Sequence, residues 1–240
     1  MVDKTTSYKL IKSLRIYSQN VGRKWSWVVN LLESRKLEFD VIFLQEPPWS
    51  TVRYSASLTE KTGDPVRGPP VHPDWWVIYP KEFDPEEDRP RVLAYVHRRL
   101  AAGKPKFRTD VVKHRDIMLL TVNSPSGEQI NLLNVYSDPD RGDAIRYLDE
   151  RFGSFPSLVY MGGDFNCPST MWDPDRTRAD NHHAPILAGV AEDFGLEVVF
   201  GPERAHTWFP YGNSSRSSSL IDLVFLPKGR RLRSRGRVWG

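Results

Sequence analysis

Two stretches near the start of the chain, Leu14-Arg15-Ile16-Tyr17-Ser18-Gln19-Asn20 and Asp40-Val41-Ile42-Phe43-Leu44-Gln45, decide the fold class. In the first, Leu14, Ile16 and Ser18 alternate with Arg15, Tyr17 and Gln19, the period-two signature of a strand ending at Asn20. The second is a short continuous apolar run, typical of a strand buried on both faces. Between them Trp25, Val28, Val29, Leu32 and Leu37 recur at nearly helical spacing. Strand, helix and strand in this order predict a right-handed crossover with both strands in one sheet.

Outward from this opening, residues 47–73 are rich in Pro, Gly, Ser and Thr and read as a long surface loop. Strands are expected at Trp75–Tyr79, Val92–His97, Asp116–Val122 and Gln129–Tyr136, with Ser124-Pro125-Ser126-Gly127 as a turn. Helices are expected at Asp143–Phe152 and from Ala184 to Phe194, and Pro168–Asn181 reads as a loop. Ser157–Met161, Leu196–Phe200 and Leu220–Leu226 complete the strands. Strands before and between helices predict an α/β sandwich of two sheets. We expect a loose arm over residues 1–13, one domain over 14–227 and a basic tail over 228–240.

Composition narrows the class. No run of this 240-residue chain approaches the ~18 apolar residues of a membrane-spanning helix, and Met1-Val2-Asp3-Lys4 opens no secretory signal. The lone cysteine, Cys167, allows no internal disulfide and suits a reducing compartment. The expectation is a soluble intracellular protein that is neither secreted nor membrane-bound. Of 34 Lys and Arg, six lie in Lys228–Gly240 without an acid, which leaves 28 against 30 Asp and Glu, net −2, for the rest. The pI of 9.1 therefore describes the tail. Such a run favours a polyanion or is a solvated end.

Polar residues fall repeatedly at the ends of the apolar strands: Asn20, Gln45-Glu46, Tyr136, and Gly162-Gly163-Asp164-Phe165-Asn166. Strand ends are where a layered α/β fold assembles a site on a rigid frame. Asp164 and Asn166 are two apart, so an extended segment would point both to one side. A carboxylate and an amide placed so can activate a water and hydrogen-bond a charged oxygen. Glu46 supplies the hard oxygen that Mg²⁺ prefers. Asp222, inside an apolar strand, requires a partner if it is buried. Singly, each has a plainer role: Asn20 and Asn166 as turn formers, Glu46 as a solvated strand end, Tyr136 as a core ring. His182 and His183 read as loop or cap residues, Cys167 as a small buried one, and Trp49 and Trp172 as rings to test for stacking on DNA.

Ser-Gln-Asn20, Leu-Gln-Glu46-Pro, Asn-Val-Tyr136, Gly-Gly-Asp164-Phe-Asn166, Thr207-Trp208 and Ile-Asp222-Leu-Val, in that order, resemble the endonuclease/exonuclease/phosphatase superfamily. Gln45-Glu46-Pro47-Pro48-Trp49 and Asn166-Cys167-Pro168 resemble most the endonucleases of non-LTR (LINE-type) retrotransposons. The resemblance runs from Leu14 to Leu226. It implies a four-layer α/β sandwich of two packed mixed sheets flanked by helices, hydrolysing phosphodiesters with Mg²⁺, or Mn²⁺ as substitute. It implies that Glu46 ligates the metal beside Asn20, that Asp164 orients or deprotonates water and that Asn166 binds a nonbridging phosphate oxygen. Tyr136 would hydrogen-bond the phosphate or the leaving oxygen, and Thr207 and Trp208 would meet DNA, joined by Arg230, Arg231 and Arg233 of the tail. DNA is the partner, a reverse transcriptase would lie on the same polyprotein, and the compartment is the nucleus, otherwise the cytoplasm. In such proteins the counterpart of Asp222 orients a histidine of a Ser-Asp-His motif. No Ser-Asp-His occurs in the chain. The expectation is a fragment or decayed copy lacking the last strand, with reduced activity. Two alternatives stand beside it: a catalytically inactive DNA-binding remnant, and a phosphatase of the same fold acting on a small phosphate ester.

Overall fold

Val41–Gln45 forms a strand, β2, in which every residue is buried, as the continuous apolar run predicts. The structure, a computed structural model, describes residues 14–56, 63–80, 89–124, 126–176, 179–200, 207 and 218–229. It divides into two compact units, Met1–Ile130 and Asn131–Gly240.

In the first unit β1 (Ile16–Asn20) lies parallel to β2, with Ile16 opposite Val41 and Asn20 opposite Gln45. Helix α1 (Trp25–Ser34) connects them and buries Val28, Leu31 and Leu32. It has no side-chain N-cap. Its stability therefore comes from those three side chains, each worth roughly 1.5–3 kcal/mol when removed from water. On its other side β2 pairs antiparallel with β6 (Val92–His97), and β6 with β5 (Trp75–Ile78). Val21, Leu44, Leu93 and Tyr95 join the buried face of α1 in one apolar cluster. Asp40, fully buried at the mouth of β2, is held by Arg15 through its backbone N–H (2.9 Å) and by Arg99 Nε (2.6 Å). A buried carboxylate without such partners would cost several kcal/mol, roughly 3–5.

Three local readings change in this unit. Helix α1 ends at Ser34, and Leu37 is 77% exposed in the turn after it. The 47–73 stretch contains an antiparallel pair, β3 (Ser50–Tyr54) and β4 (Pro65–Gly68). Its residues are mostly exposed, so backbone hydrogen bonds hold it and no apolar periodicity announces it. A further short pair joins β7 (Lys106–Phe107) to β8 (Ile117–Asn123).

The second unit is built on β10 (Tyr160–Asp164), which runs parallel to β9 (Gln129–Tyr136) and antiparallel to β12 (Asp222–Pro227). β11 (Leu196–Val199) pairs with the far side of β12. β10 begins three residues later than the expected Ser157 and extends through Gly162-Gly163-Asp164. Helices α2 (Asp143–Arg151) and α3 (Ala184–Asp193) pack on each other; α2 buries Ala144, Ile145 and Leu148, and α3 buries Ala184, Leu187, Val190 and Ala191. Both units are mixed α/β, as expected from the order of elements.

Candidate active-site residues

In the first unit, β1 and β2 are parallel and end side by side, which places Asn20 against Gln45 and one residue before Glu46. Polar groups just beyond parallel strand ends are the usual place for a site in such sheets. Three backbone bonds hold Glu46 and its surroundings: Val21 N–H to Gln45 O (3.0 Å), Arg23 N–H to Glu46 O (2.8 Å) and Glu46 N–H to Arg91 O (2.9 Å). Arg91 is itself fixed, donating Nε and Nη2 to the two oxygens of Asp116 at 2.6 Å each. Glu46 has φ +46, a left-handed conformation that a residue with a Cβ rarely adopts. Asn20 also forms a turn, its Oδ1 accepting the Gly22 N–H at 2.9 Å.

Among the described residues no group of three or more His, Cys, Asp and Glu comes together to hold a metal. A carboxylate and an amide oxygen are instead the hard, sparse donor set that Mg²⁺ or Mn²⁺ completes with waters and a substrate phosphate. Asn20 and Glu46 carry one donor of each kind at adjacent strand ends.

In the second unit the strand register makes a row. Tyr136 on β9 stands opposite Asp164 on β10, and Asp164 opposite Asp222 on β12. Directly opposed residues share a face, so three chemically active side chains stand on neighbouring strands. Tyr136 and Asp164 are buried, at 6% and 4% exposure. Contrary to the extended Asp-x-Asn spacing expected from sequence, the chain turns after Asp164. Asn166 takes φ +45 and donates its backbone N–H to Asp164 Oδ1 at 3.0 Å. An Asx turn has replaced the strand. The turn aims the Asn166 amide back along the sheet, where Nδ2 donates to Ser137 O at 3.0 Å. The second N–H of that amide has no acceptor among the described residues.

Asp222 is the electrostatic anomaly. Thr207 Oγ1 accepts the backbone N–H groups of Ile221 (3.1 Å) and Asp222 (3.0 Å), tying Thr207 to the start of β12. Asp222 Oδ1 is buried and has no hydrogen-bond partner among the described residues. Burial pushes the carboxyl from its ordinary 3.8 up to about 6, and a hydrogen bond with Thr207 opposes the rise. The folded state thus holds its proton more tightly than the unfolded chain does. Stability falls as pH rises between about 4 and 6, and the penalty is fully present above that window. Asp222→Asn removes it. The variant should gain about 2 kcal/mol at pH 7, after discounting for partial exposure, which is roughly 4–8 °C in melting temperature. At pH 4 the gain should vanish. An equal gain at both pH values would show that packing, not ionisation, is responsible.

The remaining expected residues divide by burial and by whether they are described. Trp208, Arg230, Arg231 and Arg233 lie outside the described residues. Of the two rings to test for stacking, Trp172 is 2% exposed and offers no stacking face, and Trp49 packs edge-on against Tyr79 at 5.0 Å. Cys167 is buried, and burial pushes its thiol up to about 12. His183 stands at the N-cap position of α3. Sequence reasoning missed Arg91 and Ser137, whose backbone carbonyls accept the Glu46 N–H and the Asn166 amide, and Asn181, whose amide reaches Asn166 O, because bonds to carbonyls leave no pattern in spacing.

Residues 130–235, rather less than half of the chain, match the model of a family described as endonuclease-reverse transcriptase. Curated protein sequences give no match. Among solved structures, the endonuclease domain of TRAS1, a telomere-specific non-LTR retrotransposon, is similar over 90% of this chain and 86% of its own, with a TM-score of 0.58 and 15% identity. An endonuclease/exonuclease/phosphatase family protein from Leptotrichia buccalis C-1013-b is similar over 91% and 89%, with a TM-score of 0.50 and 13% identity. Among the described residues no helix is long and apolar enough to cross a membrane.

Proposed function

The chain has the endonuclease/exonuclease/phosphatase fold and an endonuclease-reverse transcriptase segment, and from that premise we propose that it is a Mg²⁺-dependent phosphodiesterase that nicks DNA. Its place would be the endonuclease of a non-LTR retrotransposon, acting in the nucleus, with a reverse transcriptase on the same polyprotein. The observation that carries this reading is the registered row Tyr136, Asp164, Asp222, with Asn166 folded back onto it.

Asp164 takes the proton of the attacking water, because a buried carboxylate fixed by the Asn166 N–H is held in one orientation. The free N–H of Asn166 Nδ2 donates to a nonbridging phosphate oxygen. Tyr136 donates its hydroxyl to the phosphate or the leaving oxygen. Asn20 and Glu46 would hold the divalent ion, which supplies Lewis acidity to the phosphate when bound. Thr207 and Trp208, with Arg230, Arg231 and Arg233, would meet the DNA backbone.

Relaxation of supercoiled plasmid, read with Mg²⁺ and with chelator, tests the reading, with a phosphate monoester as the competing substrate. Nicking that needs the ion, with the monoester untouched, supports it. Hydrolysis of the monoester alone would assign a phosphatase of the same fold. In the same assay Glu46→Gln should raise the Mg²⁺ concentration for half-maximal rate about tenfold or more, since a neutral amide replaces a charged hard ligand. An unchanged titration would remove Glu46 from the metal site.

A second reading is favoured by Asp222 Oδ1, which is buried without a hydrogen-bond partner among the described residues. On that reading no imidazole supports the carboxylate, and the chain would bind DNA and scarcely cut it. Mg²⁺-independent affinity without plasmid relaxation identifies this outcome.

A further inference from the structure

We propose that Asn181 is a positioning residue that locks the Asn166 turn, and through it the phosphate contact of Asn166. The proposal rests on the phosphodiesterase reading, and its test separates the two.

Asn181 lies at the end of the loop that joins β10 to α3. Its side chain and backbone reach five carbonyl or amide groups on three segments, the Ala184 N–H included. Nδ2 donates to Asn166 O and to Pro139 O, both long at 3.4 Å. Its backbone N–H donates to Pro168 O at 2.9 Å, and its Oδ1 accepts the His183 N–H at 2.8 Å. The two donations to Asn166 O and Pro168 O bracket Cys167 from either side. Asn166 meanwhile donates Nδ2 to Ser137 O, two residues before Pro139. Asn181 thus ties together the segment after β9 and the segment after β10, and Asn166 spans the same gap.

The lock matters because Asn166 is not held by regular structure. It lies outside β10 at φ +45, a conformation that Asn tolerates but that other backbone states compete with. The Asx bond to Asp164 fixes its N–H and the Ser137 bond fixes its amide, but its own carbonyl is fixed by Asn181. Without that bond the peptide between Asn166 and Cys167 is free to rotate, and the amide aimed at phosphate moves with it. The loop is tied further by Asp180, whose carboxylate accepts from the Ser169 hydroxyl (3.0 Å) and from the Thr170 N–H. Asn181 is the residue that transmits this order to position 166.

Asn181→Asp isolates the role. Aspartate keeps the oxygen that accepts the His183 N–H and keeps the backbone bond to Pro168, so α3 retains its start. It loses both Nδ2 donations. The melting temperature should therefore fall by only a few degrees, about 2–6 °C for two long hydrogen bonds, while Cys167, unreactive in the parent because it is buried and its thiol is pushed up to about 12, should react several-fold faster with a thiol reagent. Nicking should slow about tenfold in kcat with KM nearly unchanged, the cost of two modest hydrogen bonds and a misaimed donor. In an Asn166→Ala background the same change should have no further effect on kcat, because the group it aims is gone.

Unchanged Cys167 labelling in Asn181→Asp overturns the proposal, and so does a tenfold loss that persists in the Asn166→Ala background. Faster labelling in a protein that never nicks DNA leaves the lock standing and brings down the phosphodiesterase reading instead.

Discussion

A protein carrying Asp164→Asn should, on the proposed phosphodiesterase reading, nick supercoiled DNA about 10²–10⁴-fold more slowly than its parent, the range lost with a general base. Its melting curve stays nearly where it was. The reason for both halves lies in one contact. Asp164 Oδ1 accepts the backbone N–H of Asn166 at 3.0 Å, and the amide oxygen of asparagine can accept the same bond in the same shape. The Asx turn therefore survives, and with it the register of β9, β10 and β12. What disappears is the ability to take a proton from water. Affinity for DNA in Mg²⁺ should change little, because a base does not hold the substrate. Measured single-turnover nicking at the parental rate would take Asp164 out of the chemistry and leave it as a turn former. A large loss of melting temperature would mean that the carboxylate's charge is part of the fold, and the rate could not then be read as chemistry.

The second large effect is structural. Gly163 sits between Gly162 and Asp164 at φ +147, and a Cβ built there would lie 1.9 Å from Val135 O and 2.9 Å from Val135 C. Those atoms are backbone of β9, held in parallel register with β10, so they cannot rotate away as a side chain would. Gly163→Ala must separate two strands of the sheet that carries the site residues. The expected loss is about 4 kcal/mol or more, in the exceptional range for one substitution. That is a large share of a stability of roughly 5–15 kcal/mol, and it should lower the melting temperature by about 8–16 °C. Gly153→Ala provides the control, since a Cβ there meets nothing within 4 Å. Thermal melts of the two variants side by side decide the matter. A Gly163→Ala protein melting with its parent would mean that β9 and β10 are not locked at this point.

How far these features could be read beforehand depended on the kind of interaction. β2, β6 and β8 are continuous apolar runs because both faces are buried, and burial writes itself directly into composition. The strand–helix–strand opening was legible for the same reason, as Val28 and Leu32 alternate with exposed neighbours. The β3–β4 pair was not. Its strands bury almost nothing, so no periodicity separates it from a loop. Leu37 misled in the opposite sense, an apolar residue at helical spacing that the turn leaves in solvent.

For the site, residue types at strand ends marked Asn20, Glu46, Tyr136, Asp164 and Asp222, since a strand fixes the position of its own terminal residues. Geometry beyond the strand end was harder to read. The two-residue spacing of Asp164 and Asn166 predicts parallel side chains, and the chain turns instead, because a side-chain oxygen captures a backbone N–H. Asn181 was invisible for a related reason. Its bonds run to carbonyls 15 and 42 residues away, and a carbonyl has no residue identity.

Among the described residues only four without a glycine's freedom adopt positive φ: Arg23, Glu46, Lys104 and Asn166. Two of them are site candidates. The left-handed state costs a residue with a Cβ about 1–2 kcal/mol, less for Asn, and glycine almost nothing. A random library sorted for thermal resistance would therefore enrich glycine at position 46 and tolerate it at 166, discarding the carboxylate and the amide together. A library sorted for cutting would keep both and carry the strain. Directed evolution of this chain consequently has two incompatible optima, and a selection for expression or heat tolerance alone walks away from catalysis one glycine at a time.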